Sequence, residues 1–151
     1  MLRFREIEDE DVPSLFAVRI ATRENAYTMD QLRELGITVE SVGAMLGKTH
    51  RGWLCEDEGQ VVGFAMGNRQ HGEIWVIAVL PECEGRGIGA RLLTLVEDWL
   101  WSEGWEVLWL TTDLDVSLRA YGFYRRQGWV DREGGDGLRW MQKTRPLNPT
   151  G

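Results

Sequence analysis

Three glycines lie at one junction of the sequence, between an apolar segment and a segment with helical periodicity. Gly85, Gly87 and Gly89 follow the apolar run VIAVL, and Pro81 stands between that run and the glycines. A strand that enters a helix through residues without side chains leaves the first N–H groups of the helix unpaired. Because the helix dipole adds positive charge there, the junction predicts a binding site for the diphosphate of a ligand. Arg86 would add a cation beside it.

Two other phosphate-binding motifs share part of this spacing. The residues from Gly85 to Ala90 formally satisfy the dinucleotide fingerprint G-x-G-x-x-G/A. That fingerprint belongs after the first strand of a repeated parallel unit, whereas here it comes halfway along the chain. An ATPase-type phosphate loop needs Lys and then Ser or Thr after its last glycine, where this chain has Ala90 and Arg91. A dinucleotide-dependent oxidoreductase and a purely structural glycine turn stay open as alternatives.

The elements before the junction are predicted from the spacing of apolar residues. An opening strand, LRFREI, precedes a helix with Asp11 at its N-cap, and two short helices follow with capping residues Thr28 and Thr38. Residues 53–80 alternate as three antiparallel strands that lead into the glycines. A long amphipathic helix then continues to about Gly104.

The last third of the chain contains three further predicted units. EVLWLTT is apolar throughout, which predicts a strand buried on both faces. DVSLRAYGFYRRQG is predicted to be a helix, and WVDR and GLRWMQK a terminal hairpin. The order β-α-α-α-β-β-β-α-β-α-β-β indicates a mixed α/β fold in a single domain over residues 1–151, with a flexible tail expected at 145–151.

Composition limits the partners of the chain. It has 151 residues and a formal net charge of −7, which disfavours nucleic acid and anionic membranes and suits a cationic substrate. No apolar stretch approaches the roughly 20 residues that span a bilayer, and the acidic N-terminus does not resemble a signal peptide, so we expect a cytoplasmic location. Cys55 and Cys83 are interpreted as reduced thiols, and His50 and His71 lack metal-like spacing, so no metal is predicted.

Two motifs together resemble the GNAT superfamily of acyl-CoA-dependent N-acyltransferases, over essentially the whole chain. EGRGIG fits the superfamily motif Gln/Arg-x-x-Gly-x-Gly/Ala, with Glu84 at the position that is usually glutamine or arginine. SLRAYGFYRRQGW fits the later motif Asn-x-x-Ala-x-x-x-Tyr with its Gly-aromatic pair, and Ser117 replaces the asparagine. The resemblance implies a GNAT-like fold: a central, mixed but mostly antiparallel sheet of about seven strands, splayed between strands 4 and 5 and flanked by four to five helices.

The resemblance also implies that acetyl-CoA is the acyl-donor substrate. The pantetheine arm of the donor would run along the fourth strand and bind its main chain, while the glycine junction would hold the diphosphate. The residues expected to bind acetyl-CoA are Ile77, Val79, Gly85, Arg86, Gly87, Ile88, Gly89, Ala90 and Ser117.

Catalytic roles are implied for two residues. Tyr124 matches the family tyrosine that lies near the cofactor sulfur and acts as a general acid. Glu73 lies eleven residues before Glu84, the spacing found in family members that use a strand-four glutamate as a base acting through water. Asp113 is the alternative base, and neither is required if the amine arrives deprotonated. Trp75, close to Glu73, could border a site for a cation.

The acceptor is predicted less closely than the donor. A small amine or amino acid derivative is the first choice, and a protein N-terminus or lysine the second. One region resembles the variable acceptor wall of the family, although a solvated helix end is the favoured interpretation. This region contains Arg19, Arg23, Glu24, Asn25 and Tyr27. A noncatalytic acyl-CoA sensor is the main alternative to an enzyme. Because family members are commonly dimers, a homodimer is also expected.

Overall fold

The computed structural model describes residues 1–22 and 28–147, and its strands form one sheet of seven in the order β1-β2-β3-β4-β5-β7-β6. All neighbouring strands are antiparallel except β4 and β5, which are parallel. The strands are β1 (Leu2–Glu6), β2 (His50–Asp57), β3 (Gln60–Asn68), β4 (Glu73–Val79), β5 (Val107–Thr112), β6 (Val130–Arg132) and β7 (Arg139–Thr144).

Five α-helices flank this sheet in the described ranges, as the sequence predicts. They are α1 (Val12–Ala21), α2 (Met29–Glu34), α3 (Val39–Met45), α4 (Ile88–Ser102) and α5 (Arg119–Arg126). None of them is both long and apolar enough to cross a membrane. The predicted mixed and mostly antiparallel sheet of about seven strands, flanked by four to five helices, is therefore confirmed.

Local capping signals start the short helices at the predicted places. The hydroxyl of Thr28 accepts the N–H of Gln31 at 3.2 Å, and the hydroxyl of Thr38 accepts the N–H of Ser41 at 3.0 Å. In both cases the third helical side chain bonds back to the capping N–H, which completes a capping box. Asp11 does occupy the N-cap position of α1, but its carboxylate binds Arg5 instead of the helix.

The sheet splays between β4 and β5. Glu73 and Trp109 form the single register pair of these two strands, where the N–H of Trp109 donates to the carbonyl of Gly72 at 3.1 Å. A β-bulge where β3 meets β4 at Met66 and Gly67 adds a local bend in the same region. Beyond the register pair, the edge of β4 that faces β5 has no strand partner, so the two strands enclose a gap.

The two faces of the sheet carry separate cores. Helix α4 packs on one face, where Leu108 and Leu110 of β5 are fully buried, and α1 packs on β3 and β4 on the other face. On that second face of β5, Val107 is 39% exposed and Trp109 is half-buried. The prediction that β5 is buried on both faces is therefore wrong, because its apolar residues on this face are only partly covered.

Helix α5 begins later than the sequence pattern predicts. The carboxylate of Asp113 accepts the N–H of Asp115 at 2.9 Å, and the carboxylate of Asp115 accepts the N–H of Ser117 at the same distance. These two side-chain bonds fold residues 113–117 into turns, so the helix starts only at Arg119.

Candidate active site

A cavity of about 560 Å³ opens where β4 and β5 diverge. Its walls are residues 74–79 of β4, the glycine loop that follows, the end of β5 and one side of α5, with α1 contributing Arg19 and Thr22. The cavity thus brings together the glycine loop and the tyrosine helix, which are separated by about 30 residues in the sequence.

Glycine is required at two positions of the loop. Gly85 and Gly87 have φ angles of +83° and +80°, a left-handed conformation that other residues adopt only with strain. A Cβ atom at either position would meet no atom within 4 Å, so the space in front of the main chain is open. At Gly89, in contrast, a Cβ would lie 3.4 Å from the Phe123 ring, and the hydrogen there lets α5 pack against α4.

The N-terminus of α4 presents unpaired donors to this open space. Its N-cap, Gly87, provides no side-chain cap, and the first main-chain bond is from Arg91 N–H to Gly87 O at 3.1 Å. Within the described residues, no N–H group of residues 85–90 donates a hydrogen bond to the protein. The side chain of Ile88 is buried and anchors the helix start. This geometry suits an anion such as a diphosphate.

The main-chain groups of Ile77 and Val79 also face the gap. The N–H of Leu80 donates to Val62 O across β3 at 2.9 Å. Because the direction of successive N–H groups alternates along a strand, those of Val79 and Ile77 point away from β3, toward the gap before β5. An extended arm lying in the gap could therefore bond to β4 as an additional strand would.

Two residues predicted to bind acetyl-CoA do not line the cavity. Arg86 donates to the Asp57 carboxylate at 2.9 Å, at the turn between β2 and β3. Its partner lies 29 positions away in the sequence, so the local motif gives no sign of the pairing. Ser117 is exposed, and its hydroxyl donates to Asp115 at 2.6 Å.

Glu84, which departs from the family motif, is paired with a cation. Its carboxylate lies 3.1 Å from Nε of Arg119, the first residue of α5, and both residues line the cavity. The pair offsets the negative charge of Glu84 next to the glycine loop. Arg119 was not singled out by sequence reasoning, although it stands two residues after Ser117 at the start of the second motif.

Tyr124 lies in the cavity wall, as predicted. The residue is 7% exposed, and its ring makes edge contacts with Phe123 and Trp129 at centroid distances of 5.4 and 6.3 Å. No described protein group bonds to its hydroxyl. Burial raises the pKa of the hydroxyl, which keeps it protonated at neutral pH. The geometry therefore provides a proton donor facing the cavity.

A buried polar network holds the C-terminal end of α5. Nζ of Lys143 donates to Glu97 and to the carbonyl of Gln127, both at 2.9 Å. The indole N–H of Trp129 donates to the other oxygen of Glu97 at 2.8 Å, and the N–H of Trp129 donates to Tyr124 O at 3.0 Å. Through these bonds α4 and β7 fix the helix that carries Tyr124.

Glu73 is half-buried at the closed end of the gap. Burial raises the pKa of its carboxyl group to about 7. It does not itself line the cavity, but its neighbours Ile74 and Trp75 do. Asp113, the alternative base, is exposed, caps a turn and lies outside the cavity wall. Of the two carboxylates, only Glu73 combines burial with a position at the gap.

The acceptor wall is described in part. Arg19 lines the cavity from the end of α1. The predicted contributors Arg23, Glu24, Asn25 and Tyr27 lie outside the described residues.

Comparison with known proteins gives one family and a consistent set of folds. Residues 5–129 match the model of the Acetyltransferase (GNAT) family. An uncharacterised N-acetyltransferase of Methanocaldococcus jannaschii is 33% identical over 84 residues, which cover 54% of this chain and 53% of that protein. The chain thus matches about half the length of this relative.

Two solved structures illustrate the shared fold. The PaiA N-acetyltransferase of Thermoplasma acidophilum, in complex with coenzyme A, has a TM-score of 0.82 at 16% identity, over 96% of this chain and 99% of that one. The ribosomal-protein-S18-alanine N-acetyltransferase of Escherichia coli has a TM-score of 0.75 at 19% identity, over 98% of this chain and 96% of that one.

Proposed function

This chain belongs to the GNAT acetyltransferase family, and from that premise we propose that it transfers an acetyl group from acetyl-CoA to a primary amine. The observation that carries the proposal is the set of unpaired N–H groups at residues 85–90, which opens onto a cavity that also contains Tyr124. A direct transfer between two bound substrates needs both features in one cavity.

The residues present fit the donor. Acetyl-CoA supplies the acetyl group as a thioester. The N–H groups around Gly85, Gly87 and Gly89 would bind its diphosphate, since no Cβ blocks their approach. Ile77 and Val79 would bond to the pantetheine arm, and Ile88 and Ala90 would form the adjoining wall. Arg86 and Ser117 would contact the donor only after their side chains leave Asp57 and Asp115.

Tyr124 and Glu73 would move the protons of the reaction. Tyr124 gives its hydroxyl proton to the sulfur as the C–S bond breaks. The bound ammonium first loses one proton through water to Glu73, which leaves a neutral amine able to attack the thioester. The second proton, which the nitrogen loses as the C–N bond forms, passes to solvent. Solvent returns a proton to Tyr124 and removes the one on Glu73, so both groups recover their starting state. The pKa of about 7 at Glu73 lets it exchange protons near neutral pH.

We propose a small amine as the acceptor, in a cytoplasmic enzyme that forms a homodimer. A cationic ligand suits the formal net charge of −7 and the half-buried carboxylate of Glu73. The Escherichia coli structure belongs to an enzyme that acts on a protein, so a protein N-terminus is the competing acceptor. Size-exclusion chromatography with light scattering measures the oligomeric state.

Thiol release from acetyl-CoA across a panel of amines tests the function. We expect turnover with at least one small primary amine and a higher melting temperature in the presence of coenzyme A. Tyr124→Phe should lower kcat about a hundredfold while leaving coenzyme A binding unchanged. Tyr121→Phe is the matched control, because Tyr121 bonds to Asp131 at 3.2 Å and does not line the cavity. Binding without any turnover would favour the noncatalytic acyl-CoA sensor instead.

A further inference from the structure

A second, smaller pocket lies between α1 and the sheet. Its volume is about 20 Å³, which gives room for about one methyl-sized group. Leu15 and Phe16 of α1, Val42 of α3, and Phe64 and Met66 of β3 line it. Each of these five side chains is 6% exposed or less and belongs to the core on the α1 side of the sheet. The pocket is therefore a gap in the packing of that core.

The lining of this pocket suits an apolar occupant. Among the described residues that line it, Arg19 is the single charged one, and the others are apolar. Arg19 is half-buried and also lines the larger cavity, so its methylene stem can border the pocket while its guanidinium group stays near water. A methyl group gains free energy on moving from water into such surroundings, whereas a carboxylate loses its hydration there.

The pocket adjoins the candidate active site at β4. Trp75 and Val76 line both the pocket and the larger cavity. Successive side chains of a regular strand point to opposite faces, but here the β-bulge intervenes. Met66 pairs with Val76 and Gly67 with Ile74, so Trp75 is left without a partner on β3, and both Trp75 and Val76 pack against the core on the α1 side. The bulge therefore places two neighbouring side chains of β4 where the cavity and the pocket meet.

The proposed position of the donor brings its acyl group to this boundary. The diphosphate would bind at residues 85–90, and the pantetheine arm would bond first to Val79 and then to Ile77. Val76 and Trp75 are the next residues in the same direction along β4. Because the thioester is at the end of the pantetheine arm, the acyl group would lie beside these two residues.

Resting on the donor site of the function proposed above, we infer that the pocket binds the terminal methyl group of a three-carbon acyl chain, so that propionyl-CoA is a better donor than acetyl-CoA. The sulfur and the carbonyl carbon would keep the positions that they have in acetyl-CoA, and the additional carbon would enter the pocket. The C–S bond breaks and the C–N bond forms as before, so the amine becomes a propionamide and coenzyme A leaves as the thiol. A six-carbon chain exceeds the room in the pocket.

Four thioesters test the inference by isothermal titration calorimetry, without an amine. They are acetyl-CoA, propionyl-CoA, hexanoyl-CoA and malonyl-CoA, whose acyl group has the carbon chain of propionyl but ends in a carboxylate. We expect propionyl-CoA to bind about fourfold more tightly than acetyl-CoA, the gain from burying one further carbon, and more tightly than the other two. The values of kcat/KM with an accepted amine should follow the same order.

Two results would overturn the inference. Acetyl-CoA could bind as tightly as propionyl-CoA or more tightly, which would mean that no carbon of the acyl group enters the pocket. Malonyl-CoA could bind more tightly than propionyl-CoA, which would mean that the guanidinium group of Arg19 recognises a carboxylate at this place instead.

Filling and enlarging the pocket supply the second test. Val42→Ile adds one carbon to the wall, so propionyl-CoA should bind about fourfold more weakly while the affinity for acetyl-CoA stays the same. Ile37→Val removes one carbon from the wall, so butyryl-CoA should bind about fourfold more tightly than it does to the unaltered protein. The matched control is Val18→Ile, because Val18 is a buried valine of the same core outside the described lining of the pocket. Equal changes for acetyl-CoA and the longer thioesters would contradict the inference.

Failure of this inference is distinguishable from failure of the proposed function. If an amine is acetylated but propionyl-CoA binds no more tightly than acetyl-CoA, the enzyme stands and the acyl pocket is rejected. If the thioesters bind in the expected order but none of them acylates any amine or peptide, the pocket stands and the proposed transfer is rejected.

Discussion

The ammonium of Lys143 lies 2.9 Å from a carboxylate oxygen of Glu97, whose side chain is only 5% exposed. Burial raises the pKa of Glu97, while the hydrogen bond and charge of Lys143 act in the opposite direction. Since Lys143 also bonds to the carbonyl of Gln127 at the end of α5, the pair connects the core to the helix that carries the candidate acid.

Removal of the cation alone should destabilise the protein. Lys143→Met leaves the Glu97 carboxylate buried without its counter-ion, and we expect the free energy of unfolding to fall by about 3–5 kcal/mol. The double variant Glu97→Gln, Lys143→Met should recover most of this loss, because neither charge is then left unpaired. Urea denaturation measures both values. A loss below about 1 kcal/mol in Lys143→Met would mean that the pair contributes little.

The same pair should affect turnover through Tyr124. In the stable double variant the bond from Lys143 to Gln127 is absent, so the end of α5 is less firmly placed and kcat should fall about tenfold. In a Tyr124→Phe background, the same two substitutions should leave kcat unchanged, because the group that they position is no longer present. An undiminished tenfold effect in that background would show that the pair acts independently of Tyr124.

Glu73 should determine the acidic limb of the pH profile. A general base works in its deprotonated form, so kcat/KM should rise with pH through about 7, the pKa of this carboxyl group. Glu73→Gln should remove that limb and lower kcat/KM above pH 7. Asp113→Asn is the control, because Asp113 is exposed and holds a turn outside the cavity. An unchanged limb in Glu73→Gln would assign it to another group.

Burial of Glu73 also makes stability depend on pH. Its pKa in the folded protein, about 7, is higher than the usual value of 4.5 for a glutamate, so the folded state holds the proton more tightly. The unfolded state therefore binds fewer protons between these pH values, and stability should fall as pH rises from about 4.5 to about 7. Glu73→Gln should reduce this slope, as thermal denaturation at several pH values can show.

A substitution in the glycine loop should weaken coenzyme A binding, whereas a comparable substitution elsewhere should lower stability by the same amount without affecting binding. Gly87→Ala places a methyl group at a φ of +80° in front of the unpaired N–H groups, and we expect coenzyme A to bind at least tenfold more weakly. Gly104→Ala is the matched control, since Gly104 has a φ of +100°, open space around it and a place at the other end of α4. Both variants should lose about 1 kcal/mol of stability from backbone strain. Isothermal titration calorimetry measures the affinity of each variant for coenzyme A. Equal affinities of the two variants would contradict the proposed diphosphate site.

Glu84→Gln restores the residue type that the family motif usually has. It removes a carboxylate beside the proposed diphosphate site and separates Arg119 from its partner at 3.1 Å. We expect coenzyme A to bind about threefold more tightly at low salt, with a smaller gain at high salt. Glu82→Gln, an exposed change two residues away, should have less effect. Weaker binding in Glu84→Gln would show that the pair with Arg119 organises the loop.

The structural features that depend on residues close together in the sequence were the most predictable. The capping boxes at Thr28 and Thr38 depend on side chains three positions apart, and each short helix starts where those residues indicate. The glycine junction and Tyr124 also lie in the predicted elements, because strand and helix periodicity extend continuously on both sides of them.

Long-range partners explain what could not be predicted. Arg86 turns to Asp57 on a different hairpin, and Glu84 pairs with Arg119 at the start of α5. Trp109 is in a strand whose apolar run gave no sign that one face would be only partly covered. Each of these depends on which elements meet in three dimensions, and the spacing of residues along the chain does not contain that information.

Glu73 and Trp109 join two halves of the sheet, β1 to β4 and β5 to β7, at one point. At about 3.3 Å per residue, the rest of β4 extends roughly 20 Å from this pair. A change of about 5° in the angle between the two halves at the pair would displace the far end of the strand by nearly 2 Å, roughly half the separation of contacting carbon atoms. A change of that size would therefore alter the width of the cavity at the far end of β4.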